Sequence, residues 1–333
     1  MAAPGADASG EDALIARYFR PLATDLGAFN LLDDAAILKA TGEDLVVTTD
    51  AMVEGVHFLA DDPPETIGRK ALRVNLSDLA SKGATPAGFV LTLALGAAEE
   101  AWLAPFARGL GEDAERFGCP LLGGDTVSTP GPLMISITAF GRVAAGRIVH
   151  RSGAKPGDRV VVTGTIGDAM VGLDILKGRS AATAMADDAS AREMLIARYR
   201  LPQPRNVLAQ AVRDHAGAAM DVSDGLAGDL GKLCAASGVS AVVDLPSIPL
   251  SRPVATLLAR GAVRIEALVS GGDDYEILCT IPENQFEAFA GEAGSAGVAV
   301  ASIGTIVAGT HAPKFLDADG TEMSLSRRSY SHF

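Results

Sequence analysis

Apolar and polar positions divide this chain into short strands and amphipathic helices. "AAILKATGEDLVVTTD", residues 35–50, predicts a strand, a turn at Thr41-Gly42-Glu43-Asp44 and a second strand over Leu45–Thr48, where β-branched and apolar residues crowd together. "ETIGRKALRVNLSDLASKG" predicts a helix closed near Gly83. Ile67, Ala71, Val74 and Asp78 fall on one face of that helix, which sets a carboxylate in register with apolar residues. Such a carboxylate is costly unless it meets a cation or hydrogen-bond donors. "GFVLTLALG" predicts a strand, "EEAWLAPFARGLGEDAERFG" a helix and "PLMISITAFGRV" another strand. The order β-β-α-β-α-β points to a mixed sheet with helices on one face.

A basic, Gly/Pro-marked stretch, "GRIVHRSGAKPGDRV" at 146–160, separates the two halves. The expected domains are 1–150 and 151–333. In the second half, "VVVTGTIGDAMVGLDIL" predicts strand, glycine turn and helix. A helical stretch follows to about Gln210, then a strand over Ala218–Val222 and further strand–helix alternation to about residue 307. The fold class is α/β (α+β) with two domains.

Composition narrows the function. A length of 333 residues favours two cores over one. Hydrophobic residues at 48% supply those cores, and aromatics at only 5% leave the packing to small residues. A formal charge of −13 repels nucleic acid and anionic membrane, and no basic patch overrides it. The N-terminus lacks the basic start and apolar block of a signal peptide, and no apolar run is long enough to span a bilayer, so the expected location is the cytoplasm. Cys119, Cys234 and Cys279 follow no metal-binding spacing and read as buried, reduced hydrophobes.

The usual phosphate-handling loops are missing. There is no Walker-type loop, no kinase HRD or DFG pair and no nucleophile elbow. "GLGEDA" at 109–114 fits a glycine fingerprint on paper, but it sits inside an amphipathic helix. What remains is a set of aspartates placed beside apolar strands: Asp33 and Asp34, Asp50, Asp125, Asp221 and Asp224, Asp273 and Asp274. Magnesium takes one or two carboxylates and completes its shell with water and substrate phosphate. Carboxylates carried on strand ends from distant parts of the sequence therefore suit several magnesium ions bridging a nucleotide. The structural alternative is capping: Ser223 or Asp224 is suited to N-cap a helix starting near Leu226.

Six stretches carry a resemblance: "VVTTDAMVEGVHF", "KALRVNLSDLASKGATP", "LLGGDTVSTPGPLMISITAFG", "RSGAKPGD", "MDVSDGLAGDL" and "SGGDDYEI". Together they resemble the thiamine-monophosphate kinase family, of the superfamily that includes aminoimidazole ribonucleotide synthetase and selenophosphate synthetase. The resemblance implies a two-domain synthetase-like fold and a homodimer whose N-terminal sheets pair into a barrel. It implies magnesium-assisted transfer from ATP to thiamine monophosphate, giving thiamine diphosphate and ADP. It further implies magnesium ligands at Asp34, Thr48, Thr49, Asp50, Asp78, Asp125, Asp221 and Asp224, with ATP contacts at Gly124, Asp125, Arg151 and Ser223. The substrate contacts implied are His57 and Asp273, where Asp273 stands in place of a family glutamate. Arg327 falls where the family presents a tryptophan, and Tyr330 is the nearby aromatic. The family has glycines ahead of its paired aspartates, where this chain reads "FNLLDD". The competing expectations are another ATP-using synthetase of the superfamily and a catalytically silent nucleotide or thiamine-phosphate binder.

Overall fold

The computed structural model describes residues 13–32, 35–325 and 329. The chain forms two compact units, Met1–Leu79 with Thr85–Gly146, and Ala80–Ala84 with Arg147–Phe333.

In the first unit the order is β1 (Glu43–Val53), α1 (Pro64–Ser81), β2 (Thr85–Leu95), α2 (Glu100–Arg116), β3 (Leu121–Ser128) and β4 (Met134–Ala144). The sheet runs β1-β4-β2-β3. β4 is antiparallel to both its neighbours, while β2 and β3 are parallel. That parallel pair is joined through α2, since parallel strands need a crossover. Two expectations are corrected here. Residues 35–40 alternate like a strand but lie outside every sheet, and the amide of Ile37 instead donates to the Gly27 carbonyl. Conversely, 121–128 is a full strand although Gly123-Gly124 interrupts its apolar run, because β2 supplies the hydrogen-bond partner that propensity lacks.

The helix α1 buries Ile67, Ala71 and Val74, as its spacing predicts. Its other side approaches α2 closely. A Cβ on Gly68 would lie 2.5 Å from the Phe106 carbonyl oxygen, and one on Gly109 would lie 2.2 Å from that of Glu65. Gly109, the first glycine of "GLGEDA", is thus a helix-packing residue. Between the helices, the carboxylate of the buried Asp113 is gripped by Arg73 Nε and Nη2 and by Arg69 Nη1. On the opposite side of the sheet Leu45, Val47 and Val127 are exposed.

The second unit contains β5 (Arg159–Thr163), α3 (Asp168–Leu176), α4 (Ala189–Arg200), β6 (Ala218–Asp221), α5 (Leu226–Ser237), β7 (Ser240–Asp244), β8 (Ile277–Ile281), β9 (Val300–Val307) and β10 (Lys314–Leu316), with further helices between them. Its sheet runs β10-β7-β9-β5-β8-β6, parallel only at β10 and β7. The expectation of helices on one face does not extend to this sheet. Val160, Val162, Met220 and Leu230 belong to one core, and Val161, Cys279, Ile281 and Phe289 to another, so both faces are covered. The cysteines are free and buried, and burial pushes the thiols of Cys119 and Cys279 up to about 12 and that of Cys234 to about 11.

At the end of the Ala209–His215 helix, the His215 ring bonds Gln285 through Nδ1 (2.9 Å) and Glu292 through Nε2 (3.0 Å). Burial opposes the imidazolium, but the bonds to Glu292 and Gln285 outweigh it and raise the pKa above the ordinary 6.5. A raised folded-state value means that the charged ring stabilises the fold. That contribution is complete below the ordinary value and is lost as pH rises through the folded value. His215→Asn should therefore lower the melting temperature more at pH 6 than at pH 9, measured by thermal denaturation at both pH values.

Candidate active site

The strand β1 sorts its residues by face. Val46 and Met52 are buried, and Thr48 and Asp50, on the same face by alternation, are half-buried. Asp78 comes to this face from α1. From Lys70 to Ser81 it is the only residue that is not buried, and its Oδ2 accepts the Thr48 hydroxyl. Thr48 and Asp78 are thus brought together, with Asp50 on the same face of β1. Thr49 is turned away. Its hydroxyl donates to the Ile137 carbonyl and accepts from Thr138, so its side chain is not grouped with Thr48 and Asp50.

Gly124 and Asp125 lie inside β3, beside Leu91 and Thr92 of β2. They border a cleft of about 420 Å³ whose walls include Phe19, Leu31, Leu121 and Leu122. Gly124 is needed sterically, because a Cβ there would sit 2.0 Å from the Leu91 carbonyl oxygen.

His57 follows β1 and is held at two points. Its Nδ1 accepts the Val53 amide at 3.0 Å, and its carbonyl accepts from the ammonium of the buried Lys70 at 3.0 Å. An Nδ1 that accepts an N–H carries no proton, so the neutral ring bears its hydrogen on Nε2.

In the second unit two loops are zipped together by their backbones. Asp273 N donates to the Ser223 carbonyl, Tyr275 N to that of Val222, and Val222 N to that of Glu276. The approach requires glycine, since a Cβ on Gly272 would lie 2.4 Å from the Ser223 carbonyl oxygen. Asp273 (φ 71°) and Tyr275 (φ 50°) take left-handed backbone conformations that L-residues adopt at a cost, as residues at functional loops often do. Asp221, Ser223, Asp224 and Asp273 are brought together in this way. The loop is anchored by Glu276. This fully buried carboxylate accepts from Arg205 Nε at 2.6 Å, Arg198 Nη2 at 2.7 Å and the Thr163 hydroxyl at 2.6 Å. Asp274, also buried, takes the Gly167 amide on both oxygens, and burial drives its carboxyl well above the usual range.

Neither Ser223 nor Asp224 caps α5, contrary to the structural alternative. Gly225 occupies the cap position, and no side chain bonds there. The capping is done in reverse by Asp229, whose Oδ2 accepts the amides of Ser223 and Asp224 at 3.0 Å each. Lys232 bonds Asp224 and Asp229 together. The sequence reading missed Asp229 and Lys232. Their i, i+3 spacing in the first turns of a helix that follows an aspartate-bearing loop was the available signal. Arg151 is exposed, and its carbonyl accepts the Ser237 hydroxyl at 3.4 Å. Asp34, Arg327 and Tyr330 lie outside the described residues.

Among the described residues, no group of three or more His, Cys, Asp and Glu is arranged to hold a metal ion. The acids are divided between the units, with Asp50, Asp78 and Asp125 in one and Asp221 and Asp224 in the other. Their donors are all hard oxygens, the chemistry that magnesium prefers.

Two sheet units in this order, with acids on β1, α1 and β3 of the first and at the end of β6 and in the loop after it in the second, define the class. Residues 32–143 match the model of the AIR synthase related protein N-terminal domain, and 155–313 match that of the C-terminal domain. A thiamine-monophosphate kinase from Caulobacter vibrioides is 45% identical over 99% of this chain and 93% of its own. One from Escherichia coli K12 is 41% identical over 98% and 99%. The crystal structure of the Stenotrophomonas maltophilia thiamine-monophosphate kinase has a TM-score of 0.81 at 38% identity, covering 96% of this chain and 98% of that one. A ThiL structure complexed with AMPPCP and TMP has a TM-score of 0.77 at 29% identity, covering 92% and 97%. The chain belongs to the thiamine-monophosphate kinase family.

Gly124→Ala should push β3 away from β2 and displace Asp125. The expected result is a loss of phosphoryl-transfer activity of at least about tenfold, a 1.4 kcal/mol effect on the barrier. Steady-state kinetics, with circular dichroism to verify the fold, checks this.

Proposed function

We propose that this chain transfers the γ-phosphoryl group of ATP directly to thiamine monophosphate, giving thiamine diphosphate and ADP. The observation that carries the reading is the division of hard-oxygen side chains into two sets, Thr48, Asp50 and Asp78 in one unit and Asp221 and Asp224 in the other, in a member of this kinase family without a Walker loop. The acceptor is itself a phosphate with a second pKa near about 6, so it is largely dianionic at neutral pH and needs no strong general base. The difficulty is to bring anions together in line. Several magnesium ions, held by these residues with Asp34, Asp125 and the backbone carbonyl of Thr49, would supply the charge neutralisation.

The side chains then have the following roles in this reading. Gly124 lets the β3 backbone come close to the nucleotide, while Ser223 and Arg151 contact it. Asp273 and His57 face thiamine monophosphate, with Arg327 or Tyr330 at its ring. His57 acts there as a neutral donor through Nε2–H, since Nδ1 is taken by Val53. Residues 1–150 serve dimerisation and the metal–phosphate contacts, and 151–333 the nucleotide and substrate. A homodimer is supported by the exposed Leu45, Val47 and Val127 on the sheet face away from α1 and by the open edges of β1 and β3. No helix among the described residues is long and apolar enough to cross a membrane, and a cytoplasmic site of action is part of the same proposal.

The test is a coupled assay with thiamine monophosphate and ATP. Thiamine diphosphate and ADP should form in equal amounts, cease with a chelator and return with magnesium. Asp50→Asn, Asp125→Asn and Asp221→Asn should each cost on the order of 10²-fold or more in kcat while the fold survives. Turnover that is indifferent to the chelator, or near-parental activity in all three variants, would contradict the reading.

The His57 geometry yields a separate expectation. Glutamine places an N–H donor near the Nε2 position, whereas asparagine keeps only the contact made at Nδ1. His57→Gln should therefore retain the KM for thiamine monophosphate within a few-fold. His57→Asn should raise it about tenfold, the worth of one hydrogen bond, with the KM for ATP unchanged in both.

A further inference from the structure

The loop that follows β6 already holds a cation of its own. Lys232 Nζ lies 2.5 Å from Asp224 Oδ2 and 2.8 Å from Asp229 Oδ1. Asp229 is fully buried, and its other oxygen is committed to the amides of Ser223 and Asp224. Asp224 is different, with 37% of its side chain exposed. Two carboxylates this close to a shared ammonium repel one another if it is removed. Lys232 reaches them from within α5 on a stem of four methylenes, long enough to leave one carboxylate while keeping the other.

We propose that Lys232 is a resident counter-ion that competes with divalent metal for Asp224: it holds the carboxylate in place in the metal-free loop and yields Oδ2, falling back on Asp229, when a divalent cation binds there. This rests on the reading of Asp224 as a metal ligand. Lys232 is a positioning residue in this scheme and makes no contact with reacting atoms. The arrangement keeps the Ser223–Asp224 loop ordered before metal and nucleotide arrive, and it lowers the loop's intrinsic affinity for bare cations. A purely structural ion pair would leave metal affinity untouched.

The test is a titration of the full chain with Mn²⁺, in which free ion is followed by electron paramagnetic resonance. Lys232→Met should bind Mn²⁺ about five- to tenfold more tightly than the parent, because one positive charge next to the site is gone. The gain should shrink as ionic strength rises and vanish in Lys232→Met/Asp224→Asn. If Lys232→Met alone fails to fold, Lys232→Met/Asp229→Asn substitutes for it, since asparagine still accepts the loop amides and needs no counter-ion. Unchanged or weaker Mn²⁺ binding in these variants overturns the proposal, as does a gain that survives loss of Asp224. Asp224→Asn separates the two claims. If it weakens Mn²⁺ binding while Lys232→Met does nothing, only the counter-ion idea fails. If it leaves Mn²⁺ binding unchanged, the assignment of Asp224 as a ligand fails with it.

Discussion

A carboxylate withdrawn from bulk water must meet a cation or a set of donors, and the structure of this chain is organised around that requirement. Asp113 meets Arg73 and Arg69 between α1 and α2. Glu276 meets Arg198, Arg205 and Thr163 beneath the loop that presents Asp273. Asp274 meets the Gly167 amide, and Asp229 meets two amides and Lys232. A protein with a net charge of −13 that gathers phosphates has few spare cations. Arg69, Arg73, Arg198 and Arg205 are committed to buried structural acids, whereas Asp78 takes the Thr48 hydroxyl and Asp224 the Lys232 ammonium.

That division separates two kinds of aspartate. Asp113, Asp229 and Asp274 are buried and saturated by protein groups, so their role is to hold elements in place. Asp50, Asp78, Asp224 and Asp273 are partly exposed on rigid elements or strained loops, where a carboxylate stays open to solvent, while Asp221, at the end of β6, is a proposed ligand that is itself buried. Asp78 illustrates the point: one half-exposed position in an otherwise buried run of helix, with the Thr48 hydroxyl on its Oδ2.

The stretch 29–31 adds a second kind of strain. Phe29, Asn30 and Leu31 all have positive φ, at 48°, 56° and 54°. Asparagine tolerates this region, whereas leucine and phenylalanine adopt it at a cost. These residues thus hold backbone conformations that glycine adopts freely. Part of the cost is offset by the Asp25 carboxylate, which accepts the Gly27 amide at 2.6 Å, and by the Ile37–Gly27 backbone bond.

Several features were legible in the linear sequence. The face of α1 that carries Asp78 follows from its spacing, because helical period is a local property. The strand ending in Asp221 and the aspartate-rich loops were equally visible, because strand propensity and turn residues act over a few positions. Pairing was not visible. Residues 35–40 alternate like a strand and 121–128 are broken by two glycines, yet only the second meets a partner, and a strand exists only where its hydrogen bonds are received. Nor could composition tell which side chain answers each acid. The bonding of the Thr49 hydroxyl to Ile137 and Thr138 needed the strand's register with β4, and the pairing of Glu276 with Arg198 and Arg205 joins residues 78 and 71 positions apart. Which residue types the chain would use was settled by its covalent order. Which of them became ligands and which became anchors was decided by burial and by the partners that the folded chain brought within hydrogen-bonding distance, because desolvation and pairing have no value until distant segments are packed.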